Sequence, residues 1–164
     1  VSGSDTLNKW FDFENKNLDE LLDLELSSTI KGNVCAVYQK GIYVKFPPDC
    51  PQTQREAIPY TFEDAIVLSN ISLLKDIESP TGMLKKMQEG LSKDNLSECT
   101  KALYDALSGE KAKMALDLLF DVDPKQLEVP KYIYDGLEWL ENKLTEMSNE
   151  YPEHKSSVME INNG

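Results

Sequence analysis

The sequence predicts a mixed α/β fold, a few strands followed by a mostly helical portion, on three observations. Two short apolar runs, residues 34–39 and 42–46, are rich in β-branched and aromatic side chains and are separated by Lys40-Gly41; runs of this kind bounded by turn residues read as strands. From residue 61 onward apolar residues recur three and four apart, interrupted at Ser79-Pro80-Thr81-Gly82, Ser108-Gly109 and Asp121-Val122-Asp123-Pro124, which is helical periodicity broken by loop residues. Hydrophobic residues make up 40% of 164 positions, enough to bury the core of one domain or of part of one.

In chain order, residues 1–16 open polar and carry Trp10, Phe11 and Phe13, a loop with aromatic anchors. Asn17 caps a short helix over 18–26, with Leu18, Leu21, Leu22 and Leu26 on its apolar side and Asp19, Glu20, Asp23 and Glu25 facing solvent. Lys31-Gly32-Asn33 is a turn. The run 34–39 reads as a strand covered on both faces. In the run 42–46, Ile42, Val44 and Phe46 alternate against Tyr43 and Lys45, and the two runs can pair as a hairpin. Pro47-Pro48-Asp49-Cys50-Pro51 suits neither a strand nor a helix interior, and through Arg55 the chain reads as loop.

At Pro59-Tyr60-Thr61-Phe62-Glu63-Asp64 a strand exit turns into a helix. Thr61 and Asp64 have the spacing of a capping box. Phe62, Ala65, Ile66 and Ser69 share one helical face, expected to be the packed one, which leaves Glu63 at the positive helix end pointing off it. Glu63 is then either a first-turn acid favoured by the helix dipole, by about 0.3–1 kcal/mol, or a metal ligand.

Three further helices are expected over 83–91, from Asp94 with Leu96, Cys99, Leu103 and Leu107 on one face, and over 111–120. Asp121 and Asp123 lack the glycine and further acids of a calcium loop, so their segment is read as a turn. Val129-Pro130 opens the last helix. Its stripe of Ile133, Leu137, Leu140, Leu144 and Met147, with Trp139 beside it, is expected to dock on the body of the domain; a dimer helix is the other use of such a stripe. The organisation expected is one unit over 1–149 and a polar tail over 150–164.

Composition removes several functions. The formal net charge is −12, from 29 acids against 17 bases, so this chain alone should not hold a polyanion such as DNA. The single histidine, His154, lies in the polar tail, which excludes histidine-based triads. Cys35, Cys50 and Cys99 are odd in number and widely spaced; they read as free thiols rather than a disulfide frame or zinc site. No phosphate-binding Gly-x-x-x-x-Gly-Lys is present. No run has the length of a membrane helix and no signal-peptide pattern opens the chain, so a cytoplasmic location is expected. The first residue is Val1, which suggests a segment cut from a longer protein.

Thr61-Phe62-Glu63-Asp64-Ala65-Ile66-Val67-Leu68-Ser69-Asn70 resembles the Ser-Phe-Glu-Asp-Ala-Phe-Ile segment of OLD-family (overcoming lysogenization defect) ATP-dependent nucleases, within their C-terminal TOPRIM domain. Three other segments match in the same order. Ser4-Asp5-Thr6-Leu7-Asn8-Lys9-Trp10-Phe11 is similar to the Ser-Asn-x-Thr-Leu-x-x-Trp run that follows the family's Asp-x-Asp motif. Val34-Cys35-Ala36-Val37-Tyr38-Gln39 is similar to its Val-x-x-Ala-Tyr-Gln strand, with Val37 inserted between the Ala and the Tyr. Lys111-Ala112-Lys113-Met114-Ala115-Leu116-Asp117-Leu118-Leu119 is similar to its Lys-Thr-x-Phe-Ala-Leu-x-Leu helix start.

The resemblance implies the C-terminal part of a TOPRIM nuclease domain, with the first-strand glutamate and the Asp-x-Asp lying before Val1. It implies Glu63 as a ligand of one divalent ion, Mg or Mn, and Lys111 as the lysine that steadies transition-state charge, with Lys113 as a rival for that role. It further implies DNA as substrate, an ATPase domain upstream in the same chain, a homodimer and a place in bacterial antiphage defence. The segment alone would be inactive. The competing class is a non-enzymatic, acidic helical interaction module.

Overall fold

The computed structural model describes residues 5–47 and 53–150. It is mixed α/β, mostly helical, with two small antiparallel sheets. The described residues fall into two units, one drawn from the two ends of the chain (through Val37 and from Lys131), the other spanning Tyr38–Pro130.

In the first unit, Asp5–Phe11 is a helix, α1, where a loop was expected. The expected anchoring is partial: Phe13 is buried and Phe11 stacks on it at 5.4 Å, but Trp10 is exposed. Helix α2, Leu18–Leu22, stops four residues earlier than its leucine spacing suggests. Asn17 and Glu20 close a capping box on it, and Leu26–Thr29 then forms a 3-10 turn. Strands β1 (Ile30–Lys31) and β2 (Val34–Cys35) pair across the expected turn, with Gly32 at φ 62°. The strand expected over 34–39 is thus only two residues of ladder.

Helix α8, Lys131–Glu150, belongs to the same unit and has no buried residue. Gly136 brings its backbone close to Val37, whose methyls lie 3.0 Å from where a Cβ would stand. The stripe expected to be buried is not: Leu137, Leu140, Leu144 and Met147 are 41–58% exposed. The partly covered side carries Tyr132, Gly136, Trp139 and Lys143 instead. These recur at helical spacing as well, and periodicity alone does not say which of two stripes finds a neighbour. The tail from residue 151 and His154 lie outside the described residues.

In the second unit, β3 (Ile42–Lys45) pairs with β4 (Gln54–Ala57), in the register Ile42↔Ala57 and Val44↔Arg55. The hairpin between 34–39 and 42–46 is therefore absent, and residues 54–57 are strand where loop was expected. Val44, Phe46 and Ala57 point into the core, and Tyr43 and Lys45 point to solvent. The remaining proline-rich segment, 48–52, lies outside the described residues.

Helices α3 (Phe62–Ser69), α4 (Ile71–Lys75), α5 (Gly82–Leu91), α6 (Leu96–Leu107) and α7 (Lys111–Asp121) complete the unit. Val67, Leu74, Met83, Leu84, Met87, Cys99, Leu103 and Leu107 are at most 1% exposed and form its centre; each large apolar side chain so buried contributes about 1.5–3 kcal/mol. The α5–α6 contact is close because Gly90 lacks a side chain: a Cβ there would come within 2.6 Å of Leu103 Cδ2.

Polar side chains close the helix ends. Asp117 of α7 accepts the Met83 N–H of α5 at 2.7 Å. Gln88 Nε2 donates to the carbonyls of Leu74, Lys75 and Ile77, capping α4. Buried Asn70 donates to the Ile66 and Glu128 carbonyls and accepts the Glu128 N–H at 2.7 Å, tying the end of α3 to a segment 58 residues away. Asp123 caps a 3-10 turn, Pro124–Gln126, as the turn reading expected.

Candidate functional site

The site forms where α3 begins. Thr61 is extended (φ −135°) and closes the capping box with Asp64. The Asp64 carboxylate accepts the Tyr60 N–H at 2.8 Å and the Thr61 N–H and hydroxyl at 2.6 Å each. It is thus committed to the cap, as the sequence suggested. This fixes the first turn, and with it the direction of the next-door side chain, Glu63.

Glu63 does not point off the packed face. It is 1% exposed, and Asp64, Ala65, Val67 and Leu68 are buried with it, while Phe62 is 42% exposed. Helix α3 is covered on more than one side, against α6, α4 and β3, so the single face inferred from spacing was too narrow. Neither oxygen of the Glu63 carboxylate has a hydrogen-bond partner. Buried acids are ordinarily paired or coordinate metals, and an orphan of this kind calls for an explanation in terms of strain, chemistry or a missing ion.

The nearest described cation is Lys111, the first residue of α7, whose Nζ lies 3.9 Å from Glu63 Oε1. The two are unequal: the lysine side chain is 72% exposed and the glutamate 1%. Their separation of 48 positions in sequence (111 − 63) is closed by packing of α5 on both α6 and α7 and of α3 on α6. Asp117, six residues on from Lys111, pins α7 to α5. Lys113, the sequence rival, is exposed and makes no described ion pair with Glu63; two residues along a helix rotate a side chain by about 200°.

Tyr60 and Tyr104 meet edge-to-face, 5.7 Å between ring centroids, at the same end of α3. Nothing local links the two positions, so no spacing rule points to this pair. Cys99 lies in the core, and burial pushes its thiol up to about 11; Cys35 and Cys99 are free thiols.

The fit to a divalent ion is partial. The orphaned Glu63 carboxylate suits one position of a hard-cation site. Among the described residues no group of three or more His, Cys, Asp and Glu is placed to hold a metal, so a set of three such ligands would have to draw on residues outside these. Among the described residues, too, no helix is long and apolar enough to cross a membrane. No family model, curated protein or solved structure matches the chain.

Proposed function

We propose that this chain is the C-terminal part of a TOPRIM-type nuclease domain of the OLD family, a divalent-metal-dependent endonuclease or nickase acting on DNA. The observation that carries the reading is the pair Glu63 and Lys111. The four-segment resemblance assigns both to one site, and they lie 3.9 Å apart with the carboxylate buried and without a hydrogen bond. In this reading Glu63 supplies one ligand to Mg or Mn, its carboxylate held by burial in a single place. Lys111 sets a compact positive charge over that place, suited to charge that develops on a phosphoryl group. When bound, the ion supplies Lewis-acid polarisation of phosphoryl oxygens and acidifies water. The rest of the complete protein supplies the Asp-x-Asp, an ATPase domain and a homodimer partner. Its setting is cytoplasmic, in antiphage defence.

The test uses the complete protein on supercoiled plasmid with Mg or Mn. Glu63→Gln and Lys111→Ala each abolish nicking, and the double variant loses little more than the worse single one, because both act in one step. This chain by itself does not cut. Robust cleavage by this chain, indifferent to Glu63, would sink the assignment.

A second reading, an acidic interaction module, is favoured by the exposed apolar stripe of α8 and by the net charge of −12. It reverses the sensitivity: charge substitutions at Leu137 and Leu144 abolish function, and changes at Glu63 are silent.

A further inference from the structure

We propose that the outer face of α7 is a self-association surface, on which a second copy of this chain docks its own α7 antiparallel across a two-fold axis. The proposal goes beyond the nuclease reading and stands with or without it.

The face belongs to a helix whose inner side closes the core. Met114 and Leu118 are buried, and Asp117 accepts the Met83 N–H of α5, so α7 is held in place before any partner arrives. Leu116 and Phe120 each follow one of those buried residues by two positions, which turns them about 200° around the helix, to its far side. There Leu116 is 59%, Leu119 64% and Phe120 87% exposed, and Ala112 and Ala115 are exposed beside them. Phe120 is the most exposed large apolar side chain among the described residues. Single exposed apolar side chains are ordinary, but a contiguous group of them marks an interaction site.

Two arguments make the occupant a second copy. The first is that the face complements itself. A two-fold interface brings residue i onto residue j and residue j onto residue i. Turned end for end, α7 sets Leu116 against the second copy's Leu119, and Lys113 against the second copy's Phe120. Both pairs straddle the middle of the helix, so one axis there forms each contact twice. Exposed Lys113 lies on the same side of α7 as Phe120, seven residues and two turns away, and an ammonium over an aromatic ring is attracted to it. A parallel pair would instead stack lysine on lysine and align the two helix dipoles. The second argument is area. A whole aromatic side chain offers about 150–250 Å², and a whole leucine about 60–120 Å² at 25 cal/mol per Å². Scaled by their exposure, Phe120, Leu116 and Leu119 bring about 200–350 Å² from each copy. A pair then buries about 400–700 Å² before Ala112, Ala115 and the lysine stems are counted, which is the size of a weak, reversible interface and short of a permanent one. The helix is already ordered, so little entropy is lost on pairing, and the dimer expected is one of about 10–100 μM.

The test is sedimentation equilibrium of this chain from about 1 μM to about 1 mM, at a salt concentration that screens the net charge of −12 on each copy. The wild type should pass from monomer to dimer across that range. Phe120→Asp should stay monomeric throughout, with an unchanged unfolding midpoint, because the side chain is 87% exposed. Lys113→Glu should weaken the dimer about fivefold to thirtyfold, the loss of two cation–π contacts; this exposed substitution decides the question if Phe120→Asp fails to fold. The arrangement is read from isotope-filtered NMR of a mixture of labelled and unlabelled chains. Contacts between copies are expected from the Phe120 ring to Lys113 and from Leu116 to Leu119. A wild type that stays monomeric overturns the proposal. So does a dimer that survives Phe120→Asp and is dispersed by Leu144→Asp, since its seam is then α8. Contacts between copies that join only like residues, Phe120 to Phe120, overturn the antiparallel pairing.

Discussion

Replacing Glu63 by methionine should make the chain more stable. The carboxylate is 1% exposed and neither oxygen has a hydrogen bond. After relaxation, taking a carboxylate out of water still costs several kcal/mol. Against this stands one ammonium at 3.9 Å, on a side chain 72% in solvent. Two unit charges 4 Å apart attract by about 4 kcal/mol at an effective dielectric of 20, but ion pairs with a solvent-exposed partner measure only about 0–1 kcal/mol. Desolvation wins. Methionine has a similar length and no charge to desolvate, so the expected gain is about 1–4 kcal/mol, the range found when buried ion pairs are replaced by apolar residues. For a chain of this size each kcal/mol moves the unfolding midpoint by about 2–4 °C. Glu63→Gln removes the charge but keeps two buried polar atoms, so its gain is smaller and of the same sign. The assay is thermal and urea unfolding of the three proteins at pH 7, without added metal. A fall in the midpoint for Glu63→Met would refute the reasoning, because it would mean that the carboxylate holds the fold together. Stability gained where activity is lost is the signature of a site kept for function.

Two other outcomes follow from burial. Leu140→Ala, at a position 45% exposed, should cost under about 1.5 kcal/mol, well short of the 2–5 kcal/mol of a buried leucine; a urea midpoint displaced as far as a core truncation would show that the α8 stripe is covered in solution. Burial raises the Cys99 thiol from 9.0 to about 11, so the native state favours its protonated form, and the corresponding stability, complete below pH 9, is lost as pH rises toward 11. Unfolding midpoints across that window should fall less steeply in Cys99→Ala, and identical slopes would refute the link.

What was legible in the sequence was what is decided locally. The Thr61–Asp64 and Asn17–Glu20 pairs lie three residues apart, and their bonds form as soon as the chain turns. Helices α5, α6 and α7 carry an apolar face at helical spacing, and it is this face that the core covers. What failed depended on distant partners. Strand β3 pairs with Gln54–Ala57, in which Gln54, Arg55 and Glu56 are exposed; a polar edge strand carries no alternation to read. Glu63 was misplaced because α3 is surrounded, and in a short helix with several neighbours no single stripe marks the interior. On α8, two stripes competed and the more apolar one lost. The closeness of Glu63 and Lys111 was suggested only by the family resemblance. No spacing rule connects an acid on α3 with a base on α7.

The inequality of that pair has a mechanical consequence. Glu63 is walled in and cannot change rotamer without displacing its neighbours. Lys111 stands at the end of a helix that Asp117 ties to α5 six residues away, and its side chain is 72% exposed, so its four methylenes can swing through water. The pair is a fixed socket with a hinged cover. The ammonium can leave the carboxylate with no movement of the main chain and with a gain of side-chain entropy, up to about 2 kcal/mol for a lysine fully released. The socket can therefore exchange one positive occupant for another at little conformational cost, and the departing ammonium stays within a side chain's reach of whatever takes its place.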